Sequence, residues 1–164
     1  MNFPVVFLAA LIPMVVGFVW YGKATFGNAW MKAADMTEEK VKSGNMAVIF
    51  GVSYVLSVLL AMVMTVFVIH QSHIMSLFMN MEGFGVEGSE IQLYYDDFMA
   101  KYGTMHRTFG HGAAHGLFGG IFFMLPILAT NALFERKGFK YIAINAGYWL
   151  LTLVLMGGVI CQFS

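Results

Sequence analysis

The chain has 164 residues, 59% of them hydrophobic and only 11% charged, with nine basic and nine acidic groups that cancel to a formal net charge of zero. Roughly a quarter of the residues in an ordinary soluble domain are charged, so a water-soluble fold is excluded: the polar surface is too small to cover this much apolar side chain. Zero net charge supplies no basic field, and nucleic acid is not expected as a partner.

The excess hydrophobicity falls in four stretches, about residues 3–21, 46–69, 112–134 and 141–163, none with Asp, Glu, Lys or Arg in its interior. A helix needs roughly 20 residues to cross a bilayer core. The expected fold is an all-α membrane protein of four transmembrane helices, forming one domain over residues 1–164 and surrounded by lipid. In the first stretch Pro4 suits an opening helical turn, and Pro13 removes a mid-span backbone hydrogen bond and predicts a kink. A cleaved signal peptide would need a basic start and small residues at a cleavage site. Only Met1 and Asn2 precede this stretch and Trp20, Tyr21, Gly22 and Lys23 follow it, so it is expected to stay as a permanent helix.

Trp20 and Tyr21 mark a membrane interface, followed by an interfacial segment over residues 24–43. There Phe26, Trp30, Ala33 and Ala34 fall near one helical face, with Lys23 and Lys32 placed to meet headgroups. Thr37 before Glu38, Glu39 and Lys40 reads as a capped short helix ending at Ser43-Gly44, and Asn45 can cap helix two. Helix two carries Ser53, Ser57, Ala61 and Thr65 at four-residue steps, a small and weakly polar stripe that suits helix packing better than a solute path.

Residues 71–110 form the one long polar connection. Within it Ser89 caps an amphipathic helix with Ile91, Tyr94, Tyr95, Phe98 and Tyr102 on one broad face, Asp97 and Lys101 paired on the other, and Gly103 as its stop. The Met- and Gly-rich run from Ile74 to Gly88 reads as adaptable. Helix three opens with Gly112, Gly116 and Gly120, two consecutive small-residue steps that form a close-packing face, and Pro126 repeats the mid-span break. Asn131 and Asn145 fall at similar depth on antiparallel neighbours and are expected to share a hydrogen bond; Gly157-Gly158 offers another close contact. Proline, second aromatic, base and phenylalanine recur from Pro13, Tyr21, Lys23 and Phe26 to Pro126, Phe134, Arg136 and Phe139 at one offset, a hint of duplicated hairpins.

Seven of the nine Lys and Arg residues fall between helices one and two or between three and four, against Lys101 and Arg107 on the opposite side. The positive-inside rule places the short connections in the cytoplasm and both termini outside, in a bacterial cytoplasmic (inner) membrane. The single Cys161 precludes an intrachain disulfide.

The stretches GFVWYGKATFGNAW (Gly17–Trp30) and NALFERKGFKYIAINAGYWLLTLVLMGG (Asn131–Gly158) resemble signatures of a family of small integral membrane proteins catalogued as domain of unknown function 1761. The resemblance implies Gly17, Trp20, Tyr21, Phe26, Gly27 and Trp30 in the first block as family positions. In the second it implies Asn131, Phe134, Glu135, Asn145, Gly147, Tyr148, Trp149 and Gly157, with a histidine-glycine step at His115-Gly116. It implies a four-helix membrane fold and no established activity.

All five histidines belong to one side: His70 and His73 at the outer end of helix two, His106 just before helix three, and His111 and His115 in its first turns. His111 and His115, four residues apart on one face, could hold a divalent transition metal, with His70, His73, His106 or the Asp96-Asp97 carboxylates as further ligands. No other cofactor is expected. Alternatives for the cluster are a proton-responsive role and simple interfacial packing. Glu135, flanked by Arg136 and Lys137, is expected to pair with either or to accept from Trp20 or Tyr21. The sequence favours a structural or accessory membrane subunit that packs with itself or with a larger membrane complex. An oligomeric transporter or channel comes next, weakened by the lack of Asp, Glu, Lys or Arg within the spans, and a metal-dependent membrane enzyme last.

Overall fold

A computed structural model describes residues 1–164, and all of its regular elements are helices. The first apolar stretch folds as α1 (Phe3–Ala9) and α2 (Ile12–Trp20). Pro13 explains the break at Ala10 and Leu11: it has no N–H for the carbonyl of Ala9, and its ring crowds that carbonyl. The interfacial segment becomes α3 (Gly27–Ala34), ended by Asp35 in the left-handed region, and α4 (Glu38–Lys42), whose cap Thr37 accepts from Lys40 N at 3.2 Å. Asn45 caps α5 (Met46–Val68), accepting from Val48 N at 3.3 Å.

Beyond the extended Ile69 the chain re-enters a helix, α6 (Gln71–Phe78), so the start of the Met-rich run is more ordered than its composition suggests. The amphipathic helix is α7 (Glu90–Tyr102), with Ser89 capping Gln92 N and Lys101 bonded to Asp97 at 2.7 Å. Ile91, Tyr95 and Phe98 are half-buried, whereas Tyr94 and Tyr102, expected on the same covered face, stay exposed.

The third span joins α8 (Phe109–Gly119), a π-helical turn (Gly120–Met124) and α9 (Leu125–Phe134). Pro126 cannot donate to the carbonyl of Phe122, and the wide turn just before it is the local accommodation. Pro13 and Pro126 thus both sit second in a restarted helix. The last span is α10 (Phe139–Phe163). Four helices, Phe3–Trp20, Met46–Val68, Phe109–Phe134 and Phe139–Phe163, are long and apolar enough to cross a membrane, which fits a multi-pass membrane protein.

Helix α10 is the centre of the bundle: half of its most apolar window is buried, against 11% for α5. Around its terminal half Val6, Ala9, Ala10, Ala61, Met64 and Val68 pack on Leu153, Met156, Ile160 and Cys161. The glycines of α8 make the closest contact. A Cβ placed on Gly112 would overlap the carbonyl oxygen of Gly157, one on Gly116 that of Leu153, and one on Gly120 the side chain of Leu150. These close approaches lie within the chain, against α10. The stripe on α5 divides: Ser57, Ala61 and Thr65 are buried, and Ser53 is exposed.

Polar ties fix the two ends of the bundle. Asn2 Nδ2 donates to the carbonyl of Phe163, and the Arg107 guanidinium donates to the carbonyls of Cys161 and Ser164, so both termini meet at one end. At the other end Lys137 Nζ bonds Asp35 Oδ2 at 2.6 Å and the Ala34 carbonyl at 3.1 Å, joining the two short connections. The Asn131–Asn145 pair does not form. Asn145 Oδ1 instead accepts from Tyr21 O–H at 2.8 Å and its Nδ2 donates to Tyr141 O, because the phenol of Tyr21, just past the end of α2, reaches α10 while Asn131 is exposed. Trp20 donates to the Ile144 carbonyl at 3.0 Å and Trp30 packs edge-on to Tyr21, so both aromatics make contacts within the chain. Glu135 is exposed and takes neither these donors nor an ion pair, since Trp20 and Tyr21 are turned toward α10 and Lys137 toward Asp35.

Candidate metal centre

The bend after α5 decides which histidines meet. His70 lies one residue past the extended Ile69, so its ring swings across the top of the bundle toward α8. Thr108 caps α8 by accepting from His111 N at 3.3 Å, and the four-residue step to His115 stacks the second imidazole below the first on one face. Close approach of α8 to α10 through Gly112 and Gly116 holds that face at a fixed height.

His70 Nε2 lies 2.9 Å from His111 Nε2, which in turn lies 3.1 Å from His115 Nε2. One ring nitrogen from each of the three falls within 4.8 Å of the others. His70 is exposed and the other two are half-buried. Three neutral imidazoles so arranged bring the nitrogens of His70 and His115 to the same nitrogen of His111, and one shared proton cannot satisfy all three. Charging two of them would place like charges about 3 Å apart, worth about 5 kcal/mol at an effective dielectric of 20. One cation uses the three lone pairs together. Three nitrogens held at about 2.0–2.1 Å from a tetrahedral zinc stand about 3.3 Å apart, close to the 2.9 and 3.1 Å that separate His111 from His70 and His115, with the third pair within 4.8 Å. The donor set therefore fits zinc, copper or nickel, ions that take neutral imidazole.

The remaining sequence candidates take other places. His106 stacks on His111 with ring centroids 5.0 Å apart and planes at 22°, and its backbone is left-handed with φ 62°. It packs against the group and is not one of the three. His73, in the first turn of α6, is exposed and contributes only backbone hydrogen bonds, because α6 carries it away from α8. Asp96 accepts from Gln92 and Asp97 from Lys101, so neither carboxylate of α7 joins the imidazoles. Phe67 meets His115 edge-on at 5.6 Å, and Cys161 Sγ donates to the His106 carbonyl, contacts that no sequence pattern signalled. Beside His70 and His106 a hollow of about 260 Å³, walled by Ile74, Phe98, Tyr102 and Met105, opens beneath α7. Gln71 holds its rim, donating to the carbonyls of Tyr102 and Met105.

Four apolar helices carrying three converging imidazoles at one end define a helical membrane protein with a candidate metal centre. The chain belongs to the family described as Protein of unknown function (DUF1761), whose model matches residues 4–161, nearly its whole length. No curated protein matches the chain, and no solved structure does.

Proposed function

We propose that this protein binds one divalent transition metal ion through His70, His111 and His115 at the end of the bundle that carries its termini. The convergence of three Nε2 atoms carries the proposal. Three imidazoles leave one tetrahedral position to water or a solute, the ligand count of a catalytic rather than a closed structural zinc site. The excess of Lys and Arg in the short connections supports N-out, C-out insertion in a bacterial cytoplasmic membrane, with the metal centre and α7 on the outer face. The test is metal analysis of protein purified without a polyhistidine tag. Near-stoichiometric metal that disappears in a His111→Ala, His115→Ala double variant supports the centre, and equal metal in both proteins removes it.

Association with itself or a larger membrane complex is a second reading. It is favoured by Met75, Leu77, Leu93 and Tyr94 on α6 and α7, which stay exposed outside the spans. Stoichiometric co-purification of a membrane partner in mild detergent, or a stable oligomer, would support it; free monomer alone would oppose it.

A further inference from the structure

A groove of about 810 Å³ opens between α2, α5 and α10 on the half of the bundle nearest the short connections. It exists because the Pro13 break redirects the first span. α1 packs against α5 through buried Val6, Ala9 and Ala10, whereas α2 leans on α10, where Tyr148 O–H donates to the Pro13 carbonyl at 2.9 Å. A gap is left between α2 and α5, floored by Tyr148 and Trp149.

Three observations identify what fills it. The first is length: the lining of α5 runs from Met46 at the membrane edge to Leu60, about 21 Å at ~1.5 Å per residue. Half of a ~30 Å hydrocarbon core plus its headgroup layer is about 20–22 Å, so the groove is one leaflet deep. The second is polarity. The phenols of Tyr21 and Tyr148 are bonded within the protein, the first to Asn145, and the remaining wall is mainly apolar, a poor site for water. The third is charge at the mouth. Lys23 lines the opening, and Lys23 and Lys42 face a single carboxylate, Glu38, at 3.0 and 3.5 Å, so the three groups together carry one net positive charge beside the mouth.

We propose that this groove is a binding site for one anionic phospholipid of the leaflet next to the short connections, with an acyl chain along α5 and its phosphate at Lys23. The site is separate from the metal centre, which lies at the opposite end of the bundle.

The test uses the full chain reconstituted in vesicles of equimolar phosphatidylglycerol and phosphatidylethanolamine, extracted in mild detergent and weighed by native mass spectrometry. The wild type should retain one phospholipid per chain, with phosphatidylglycerol preferred about fivefold, the scale for one cation beside anionic headgroups. Ser53→Phe, at an exposed lining position, should lower retention at least fivefold, and Leu56→Trp provides a second filling variant should the first not fold. Val63→Phe, on the lipid-facing side outside the groove, should retain lipid as the wild type does. Lys23→Gln should keep a bound lipid and lose the headgroup preference. A wild type without retained lipid or without preference, or filling variants that retain as much as Val63→Phe, overturns the proposal.

Discussion

Replacing Gly112 by alanine tests the contact on which both the bundle and the histidine group depend. The added methyl would collide with the carbonyl oxygen of Gly157 and with Cys161 Cβ, neither of which is the free end of a flexible side chain. Clearing the overlap requires α8 to retreat from α10 by roughly 1 Å, and overpacking of this kind costs about 1–3 kcal/mol. For a chain of this size that is a fall in midpoint of about 2–12 °C, read by circular dichroism of the protein in detergent. His111 and His115 flank the displaced turn, and a metal centre tolerates only about 0.2 Å in its bond lengths, so metal retention should fall with stability. Gly110→Ala is the matched control. It lies on the same helix, a Cβ there meets nothing within 4 Å, and alanine is the better helix former, so its midpoint should hold or rise. Equal midpoints for the two variants would refute the close-packing account of α8.

Other consequences are open to direct measurement. Trp20→Phe removes the indole donor to the Ile144 carbonyl and should destabilise by about 0.6–2 kcal/mol in the same melts; no change would show that bond to be idle. His106→Gly relieves a left-handed backbone and should keep the bound metal, whereas a loss equal to that of His70→Ala would make His106 a ligand. The hydrogen bond from Lys23 holds the Glu38 carboxyl below its ordinary value, so its stabilisation of α4 is complete above the usual glutamate pKa of about 4.3 and is lost as pH falls through the depressed one. Amide exchange in α4, corrected for its intrinsic pH dependence, should therefore stay flat from about pH 7 to 5 and accelerate only in more acidic solution. Glu38→Gln should abolish that response, and an onset above pH 5 would contradict it.

The spans and caps were legible in the sequence because they are local: Thr37, Asn45 and Ser89 each bond a backbone N–H three residues on, and Pro13 and Pro126 act on their own helices. The glycine steps of α8 were legible as a packing face, though not their partner, since nothing in Gly112 names Gly157. The five histidines could be assigned to one end by topology. Selecting three of them depended on the extended Ile69 that redirects His70 and on α6 carrying His73 away, both set by tertiary packing. Asn145 illustrates the same limit: depth alone paired it with Asn131, while its actual partner, Tyr21, comes from a helix aimed by a proline break. The groove was hidden for the same reason, because it follows from the direction of α2 and not from any run of residues.

Metal content of the untagged, natively extracted protein tests the central claim most directly. Elemental analysis should find close to one zinc, copper or nickel ion per chain, retained in His73→Ala and lost in the His111→Ala, His115→Ala double variant. A wild type free of transition metal, or a double variant that keeps it, would contradict a metal centre at His70, His111 and His115.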